Sequence, residues 1–266
     1  MSGITAHCLI KNEENFVGYA IKSVINFVDS IIVFDTGSTD KTVEIIQNLV
    51  KEFPKKIIFE EKGLSDKARH TQLRQEMIER TKTDWFMILD GDEVWTKYGL
   101  MEAREVISGG ATEVIESWFF ECVGDVYHTR IKGGYKTIRF VKTKNVKWIG
   151  QFGVDNLYSI VSEEPVINRG SVVLNNKFWH LTHLIRSAKD MLDFSSGTSR
   201  GGKRILTYFL IGKKIKDPLP KVFENKFTKM SFIKSFINFF IWIISKRTKI
   251  FGQPQKKQSL KIMNGI

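Results

Sequence analysis

Three observations predict an α/β fold for this chain. Through residues 3–95, short apolar runs alternate with stretches of helical length. Several of those runs, SIIVFD, KIIFE and WFMILD, end on an acid. After Glu93 the rhythm shifts to strand-like segments with few helices between them. Strands alternating with helices make βαβ units and a parallel sheet. The expected organisation is a Rossmann-like first half, a mixed-sheet second half and a C-terminal amphipathic helical extension. Its boundaries are set at residues 1–198 for the main domain and 199–266 for the extension.

The elements follow in order. GITAHCLI, residues 3–10, reads as the first strand. Residues 14–28 read as a helix with Phe16, Ala20, Val24 and Phe27 on one face. SIIVFD, residues 30–35, is a second buried strand. Gly37 makes the turn, and Ser38 or Thr39 is suited to cap a helix over 40–52. A third strand is expected at 56–60, a helix at 65–82 and a fourth strand at 84–89. A helix over 97–108 ends at Gly109-Gly110, and strand-like segments follow at 113–123, 135–142, 146–149 and 171–174. This half is expected to cover the carboxyl end of the sheet, with helices resuming at 183–195 and 203–213.

The charge is unevenly placed. The net charge is +12, yet Arg200 to Ile266 holds sixteen Lys and Arg against only Asp217 and Glu224. The first 199 residues are therefore close to neutral. Between Phe227 and Ser245 a broad face carries Phe232, Ile233, Phe236, Ile237, Phe239, Phe240, Ile243 and Ile244. That run falls short of the roughly 20 apolar residues a membrane span needs. Two readings fit it: a helix lying in an anionic membrane interface, with Lys246, Arg247 and Lys249 beside it, or a helix covering the core. Cys8 and Cys122 have no CxxC spacing, which argues against a zinc site or disulfide framework. The N-terminus lacks the pattern of a signal peptide. The expected location is the cytosol, peripheral on the cytosolic face of a membrane.

The most informative stretch is Trp85-Phe86-Met87-Ile88-Leu89-Asp90-Gly91-Asp92-Glu93. A buried strand ends in three acids, at the end where open α/β sheets bind ligands. Clustered carboxylates there suit a hard divalent cation carrying phosphates, although an acidic turn capping the next helix has the same appearance. Asp35 ends the second strand, and Arg69 opens the helix before the fourth. A carboxylate at a strand end accepts from a base or ribose, and Arg suits phosphate.

With these residues in place, the order of ITAHCLIKNEEN, VFDTGSTDK, Ala68-Arg69-His70 and LDGDE resembles the inverting family-2 glycosyltransferases of GT-A fold. The likeness covers residues 3–95 and is looser from 96 to 195. It implies that Lys11, Glu13 and Asp35 border the nucleotide base, and that Arg69 lies near base or phosphates. It also implies that Asp90 meets the ribose and, with Asp92, the metal. His70 stands where relatives often carry Asn. The implied cofactor is Mn²⁺ or Mg²⁺, and the implied donor is a UDP- or GDP-sugar. Relatives place an acid after a Trp/Tyr-x-Gly step; here Trp148-Ile149-Gly150 leads to Asp155, the expected base, with Glu121 and Asp125 in reserve. A histidine returning to the metal is expected at His180 rather than His183. Arg186 and the run Arg200 to Arg204 are further candidates for diphosphate.

The implied partners are a nucleotide sugar, a glycan or lipid-linked acceptor and an anionic membrane surface. Two other readings stand beside this one. A nucleotidyltransferase of related fold would need a Gly-rich loop after the first strand, and LIKNEEN has none. A nucleic-acid-binding protein would use the basic tail, but its aliphatic and aromatic face suits lipid better. No nucleic acid is expected as partner.

Overall fold

A computed structural model describes residues 2–130, 135–153, 156–187, 212–227 and 229. Its centre is an eight-stranded sheet. The first strands are β1 (Ile4–Ile10), β2 (Ser30–Asp35), β3 (Ile57–Glu61) and β4 (Trp85–Ile88), all mutually parallel. The sheet continues through β5 (Glu93–Val94), β6 (Val114–Glu121), β8 (Thr137–Lys142) and β11 (Val172–His180). The order is β3-β2-β1-β4-β8-β6-β11-β5, with β8 antiparallel to both neighbours. Short pairs stand apart: β7 (His128–Thr129) with β12 (Lys213–Lys214), and β9 (Val146–Ile149) with β10 (Asn156–Ser159).

Both faces of the parallel strands are covered, which is why they read as nearly unbroken apolar runs. Ala6, Cys8, Ile10, Ile31 and Val33 face one way, into a core with α1 (Val17–Val24), α2 (Thr42–Glu52) and α4 (Lys97–Gly109). Ile32 and Phe34 face the other way, onto Leu73 and Met77 of α3 (Lys67–Arg80). Cys8 and Cys122 are free, buried thiols, pushed by burial well above their ordinary pKa. Among the described residues no helix is long and apolar enough to cross a membrane.

Several expectations are corrected. Neither Ser38 nor Thr39 caps α2, which starts later at Thr42 with no side-chain cap at Lys41. Instead Ser38 Oγ accepts from the Asn12 amide and the Thr39 amide donates to Asn12 Oδ1, both at 2.8 Å. The two hydroxyl residues thereby fasten the loop after β1. The helix expected over 14–28 is the shorter α1. β11 is longer than expected because the polar Asn175-Asn176 step does not end it. Glu102 of α4 accepts from both backbone amides and both side chains there, at 2.7–2.9 Å, across a register shift. The second half does not simply cover the sheet: β8, β6 and β11 extend it sideways. Residues 183–187 are not helical, and Lys213 lies in β12. The remainder of both expected helices, together with the segment 230–245, lies outside the described residues.

Candidate active site

The acidic turn sits where β4 ends, held from three sides. Asp92 O accepts from Leu181 N at 2.8 Å, and β5 pairs Glu93 with His180 of β11. Gly91 allows the turn to lie on the loop after β1. A Cβ there would meet Glu13 Cγ at 2.9 Å and Ile10 Cγ2 at 3.0 Å. Asp92 is buried, and its Oδ1 lies 3.5 Å from His180 Nε2. Asp90 is half exposed, with Oδ2 at 3.6 Å from Arg139 Nη2. Glu93 is fully buried, bonds Arg139 Nη2 through Oε1 and accepts from the Asp90 amide through Oε2 at 3.3 Å.

Charge is concentrated here. Burial pushes the Glu93 carboxyl up to about 8, with Arg139 pulling down and Asp90 adding to the rise. Burial works against the His180 cation, but Asp92, Glu93 and Asp90 outweigh it and hold the imidazole above its usual range.

The turn opens on a cleft of about 710 Å³. Lys11, Glu13 and Thr36 form one wall, α3 another, and Asp90, Asp92 and His180 the floor. Asp35 Oδ1 accepts from the Gly37 and Ser38 amides at 2.9 and 2.8 Å, bending the chain at Gly37 (φ 84°). Its Oδ2 is buried with no hydrogen-bond partner among the described residues. Beyond β11 the chain returns over this wall. Arg186 Nη1 donates to Glu13 Oε1 at 2.6 Å, and Asn15 N donates to Arg186 O at 2.9 Å. A second cavity of about 460 Å³ adjoins the first and shares Arg74, Asp90, Tyr135, Phe152 and His180 with it. Arg139 and Trp148 complete its wall.

A continuous match to the model of glycosyl transferase family 2 runs over residues 9–156. The chain belongs to that family. The family's span runs from the end of β1 to the first residue of β10, taking in the acidic turn and the α3 wall. The chain is 28% identical over 184 residues to the SPbeta prophage-derived glycosyltransferase SunS of Bacillus subtilis (strain 168), covering 66% of this chain and 39% of that protein. Glycosyltransferase SunS of Bacillus phage SPbeta matches to the same extent. The chain thus spans about two fifths of the length of these relatives. Among solved structures, S. aureus TarS is similar at a TM-score of 0.48 and 11% identity, over 77% of this chain and 69% of that one. Glucosyl-3-phosphoglycerate synthase from Mycobacterium tuberculosis, solved with Mn²⁺ and UDP-glucose, is similar at 0.34 and 17%, over 44% of each chain.

Of the residues expected at the site, Lys11, Glu13, Asp90, Asp92 and His180 line one cleft; Asp35 does not line it and is buried, next in sequence to the lining Thr36. Arg69 does not line it: that side chain is exposed and reaches Gln72 Oε1 at 3.5 Å. The cleft-facing residues of α3 are Lys67, His70 and Arg74, at spacings of three and four that share one helix face; Arg69 is one step off that face. His183 is engaged with Glu121 at 2.6 Å rather than with the acidic turn. Neither Glu121 nor Asp125 lines the cleft; Asp125 accepts from Tyr127 N and lies 2.8 Å from His128 Nδ1. Asp155 and the run Arg200 to Arg204 lie outside the described residues. Nothing local in the sequence ties Arg139, Tyr135 and Phe152 to the acidic turn. Helical spacing alone would have favoured His70 and Arg74 over Arg69.

Among the described residues no three His, Cys, Asp or Glu side chains form a ready-made cation cage. The donor set still fits a hard cation. Mg²⁺ characteristically takes one or two carboxylates and completes its shell with substrate phosphate and water. Asp92 and the imidazole facing it offer that partial shell at the cleft floor, with Asp90 beside them.

Proposed function

We propose that this chain transfers a sugar, with inversion, from a nucleoside-diphosphate donor to an acceptor hydroxyl. The observation that carries the reading is the Asp90-Gly91-Asp92 turn facing His180 at the floor of a cleft whose wall is the Lys11–Glu13 loop. Lys11, Glu13 and Asp35 border the base; the unpaired Asp35 Oδ2 supplies an acceptor for a base N–H. Asp90 accepts from the ribose. Asp92 and His180, with Asp90, hold Mn²⁺ or Mg²⁺. When bound, that cation neutralises charge on the diphosphate leaving group.

Lys67, His70 and Arg74 take the phosphate-facing role that Arg69 does not fill, and Arg186 stands opposite them. The adjoining cavity receives the acceptor. There the hydroxyl oxygen forms its bond to the anomeric carbon as the carbon–phosphate oxygen bond breaks. Its proton passes to a carboxylate on the far face of the sugar, for which Asp155 is the candidate. The bonding pair leaves with the diphosphate.

The segment 199–266 forms a separate extension that holds the enzyme on an anionic membrane surface, which favours a lipid-linked or surface-glycan acceptor. Its sixteen bases against two acids support this reading.

Nucleoside diphosphate release from a panel of UDP- and GDP-sugars, with and without Mn²⁺, tests the reaction. Release that requires Mn²⁺ is expected. No release together with no donor binding by calorimetry overturns it. If Asp155→Asn turns over normally while Asp92→Asn is dead, Asp155 is not the base. Co-sedimentation of the full chain with phosphatidylserine vesicles, lost on deleting residues 199–266, is the outcome expected for the tail.

A further inference from the structure

Arg139 reaches the acidic turn by an irregular route. On β8 its neighbours Ile138 and Phe140 pair with Glu116 and Ile115, consecutive residues of β6, so Arg139 falls in the register shift between them. Such bulges re-aim a side chain and are common beside active sites. Here the bulge directs a guanidinium towards the end of β4, whose pairing with β8 stops at Met87 and Phe140. The side chain is only 8% exposed, lies 5.1 Å over the Phe178 ring and bonds buried Glu93. Nη1 donates to Ile138 O at 3.1 Å, and Nε is buried with no hydrogen-bond partner among the described residues.

A charge so placed is costly unless its neighbours use it. Glu93 anchors one edge of the guanidinium and also accepts from the Asp90 amide. The same Nη2 lies 3.6 Å from the Asp90 carboxylate, which borders both cavities. Backbone and side chain of Asp90 are thus both tied to one buried ion pair.

We propose that Arg139 is a positioning residue for sugar transfer: anchored on Glu93, it holds the Asp90 carboxylate at the junction of the two cavities, in the direction that donor binding uses. This inference rests on the sugar-transfer reading above. It acts through Asp90, so its signature is loss of additivity rather than loss of activity alone.

The test is a double-mutant cycle on donor KM in the full chain with Mn²⁺. Asp90→Asn and Arg139→Met are each expected to raise donor KM about tenfold. The double variant is expected to match Asp90→Asn within about twofold. Because Arg139→Met leaves the buried Glu93 carboxyl without its guanidinium partner, the pair Glu93→Gln/Arg139→Met is run beside it, with melting curves for all. If both unfold, Arg139→Lys serves: a donor KM between those of wild type and Asp90→Asn is expected. Effects that multiply to about 100-fold in the double variant overturn the proposal, as does a wild-type donor KM in any folded Arg139 variant. A wild-type protein that neither releases nucleotide nor binds UDP with Mn²⁺ sinks the sugar-transfer reading itself, and this inference with it. Normal wild-type turnover with an additive cycle sinks Arg139 alone.

Discussion

Two charged clusters at different ends of α3 have opposite character. At its C-terminal end, Arg80 bonds Glu60 and Glu76, and Lys62 bonds the same two acids at 2.6 and 2.8 Å. Arg80 and Lys62 hold both acids below the usual carboxylate range. Their own pKa values rise: the bond to Glu60 lifts Arg80, and for Lys62 the bonds to Glu60 and Glu76 outweigh a burial that pulls the other way. Two anions meet two cations, and every member gains. At the N-terminal end, α3 faces Asp90 and Asp92 across the cleft, and the adjoining Glu93 is fully buried and pushed up to about 8 by that burial. In that cluster three acids share two cationic partners, Arg139 and His180. The fold holds acids together at the end of β4 that would separate in water, whereas the surface network would assemble wherever its partners met. Charge held against its own repulsion is what a site awaiting a cationic ligand requires.

The difference predicts a graded set of outcomes. Asp92→Asn strikes the frustrated cluster directly. Its turnover with the best donor is expected to fall by about 100- to 1,000-fold, while the melting temperature stays at or above wild type because a buried anion is removed. Thermal melts and nucleotide release measured on the same preparation separate the two effects.

A buried histidine beside the C-terminal end of α3 sharpens the comparison by pH. His7 Nε2 lies 2.6 Å from Thr81 Oγ1, whose own hydrogen goes to Met77 O. The ring must therefore donate from Nε2, as a neutral imidazole stacked on Phe86 at 4.7 Å. Burial lowers its pKa from 6.5 to about 3. A lowered pKa means that the unfolded chain takes the proton first. Stability is intact above pH 6.5 and is lost as pH falls towards about 3. The full effect is at most about 5 kcal/mol. Urea midpoints at pH 7, 5 and 4 should decline more steeply for wild type than for His7→Gln.

Gly91→Ala tests how tightly the acidic turn is seated. Its Cβ would press on Glu13, whose carboxylate is pinned by Arg186. A stability loss of about 1–3 kcal/mol is expected by chemical denaturation, with a raised donor KM. The smallest effect belongs to the balanced network. Arg80 is 37% exposed, and Arg80→Met should cost less than about 1 kcal/mol and leave turnover unchanged. A large loss of turnover there would break the contrast between the clusters.

How far the sequence reached follows the same division. β2 was bounded correctly because an unbroken apolar run closes on Asp35. α4 was bounded nearly as well: Thr96 caps it through the Gly99 amide, and Gly110 stops it at φ 67°. Those are local signals. The start of α2 is not legible locally because Ser38 and Thr39 are spent on Asn12, 26 and 27 residues away. The end of β11 was missed because Glu102 satisfies a polar step that, read alone, looks like a loop.

The sequence by itself determined the parallel half, the acidic turn and the identity of its two aspartates, since apolar period and turn chemistry act over a few residues. Only the tertiary structure decided which side chains meet that turn. Arg139 arrives at Glu93 from 46 residues away, through strand pairing and a bulge, and Arg186 reaches the adjoining Glu13 from 173 residues away on a returning segment. Such encounters depend on register and on the burial of the whole sheet, and neither is written in any short stretch of the chain.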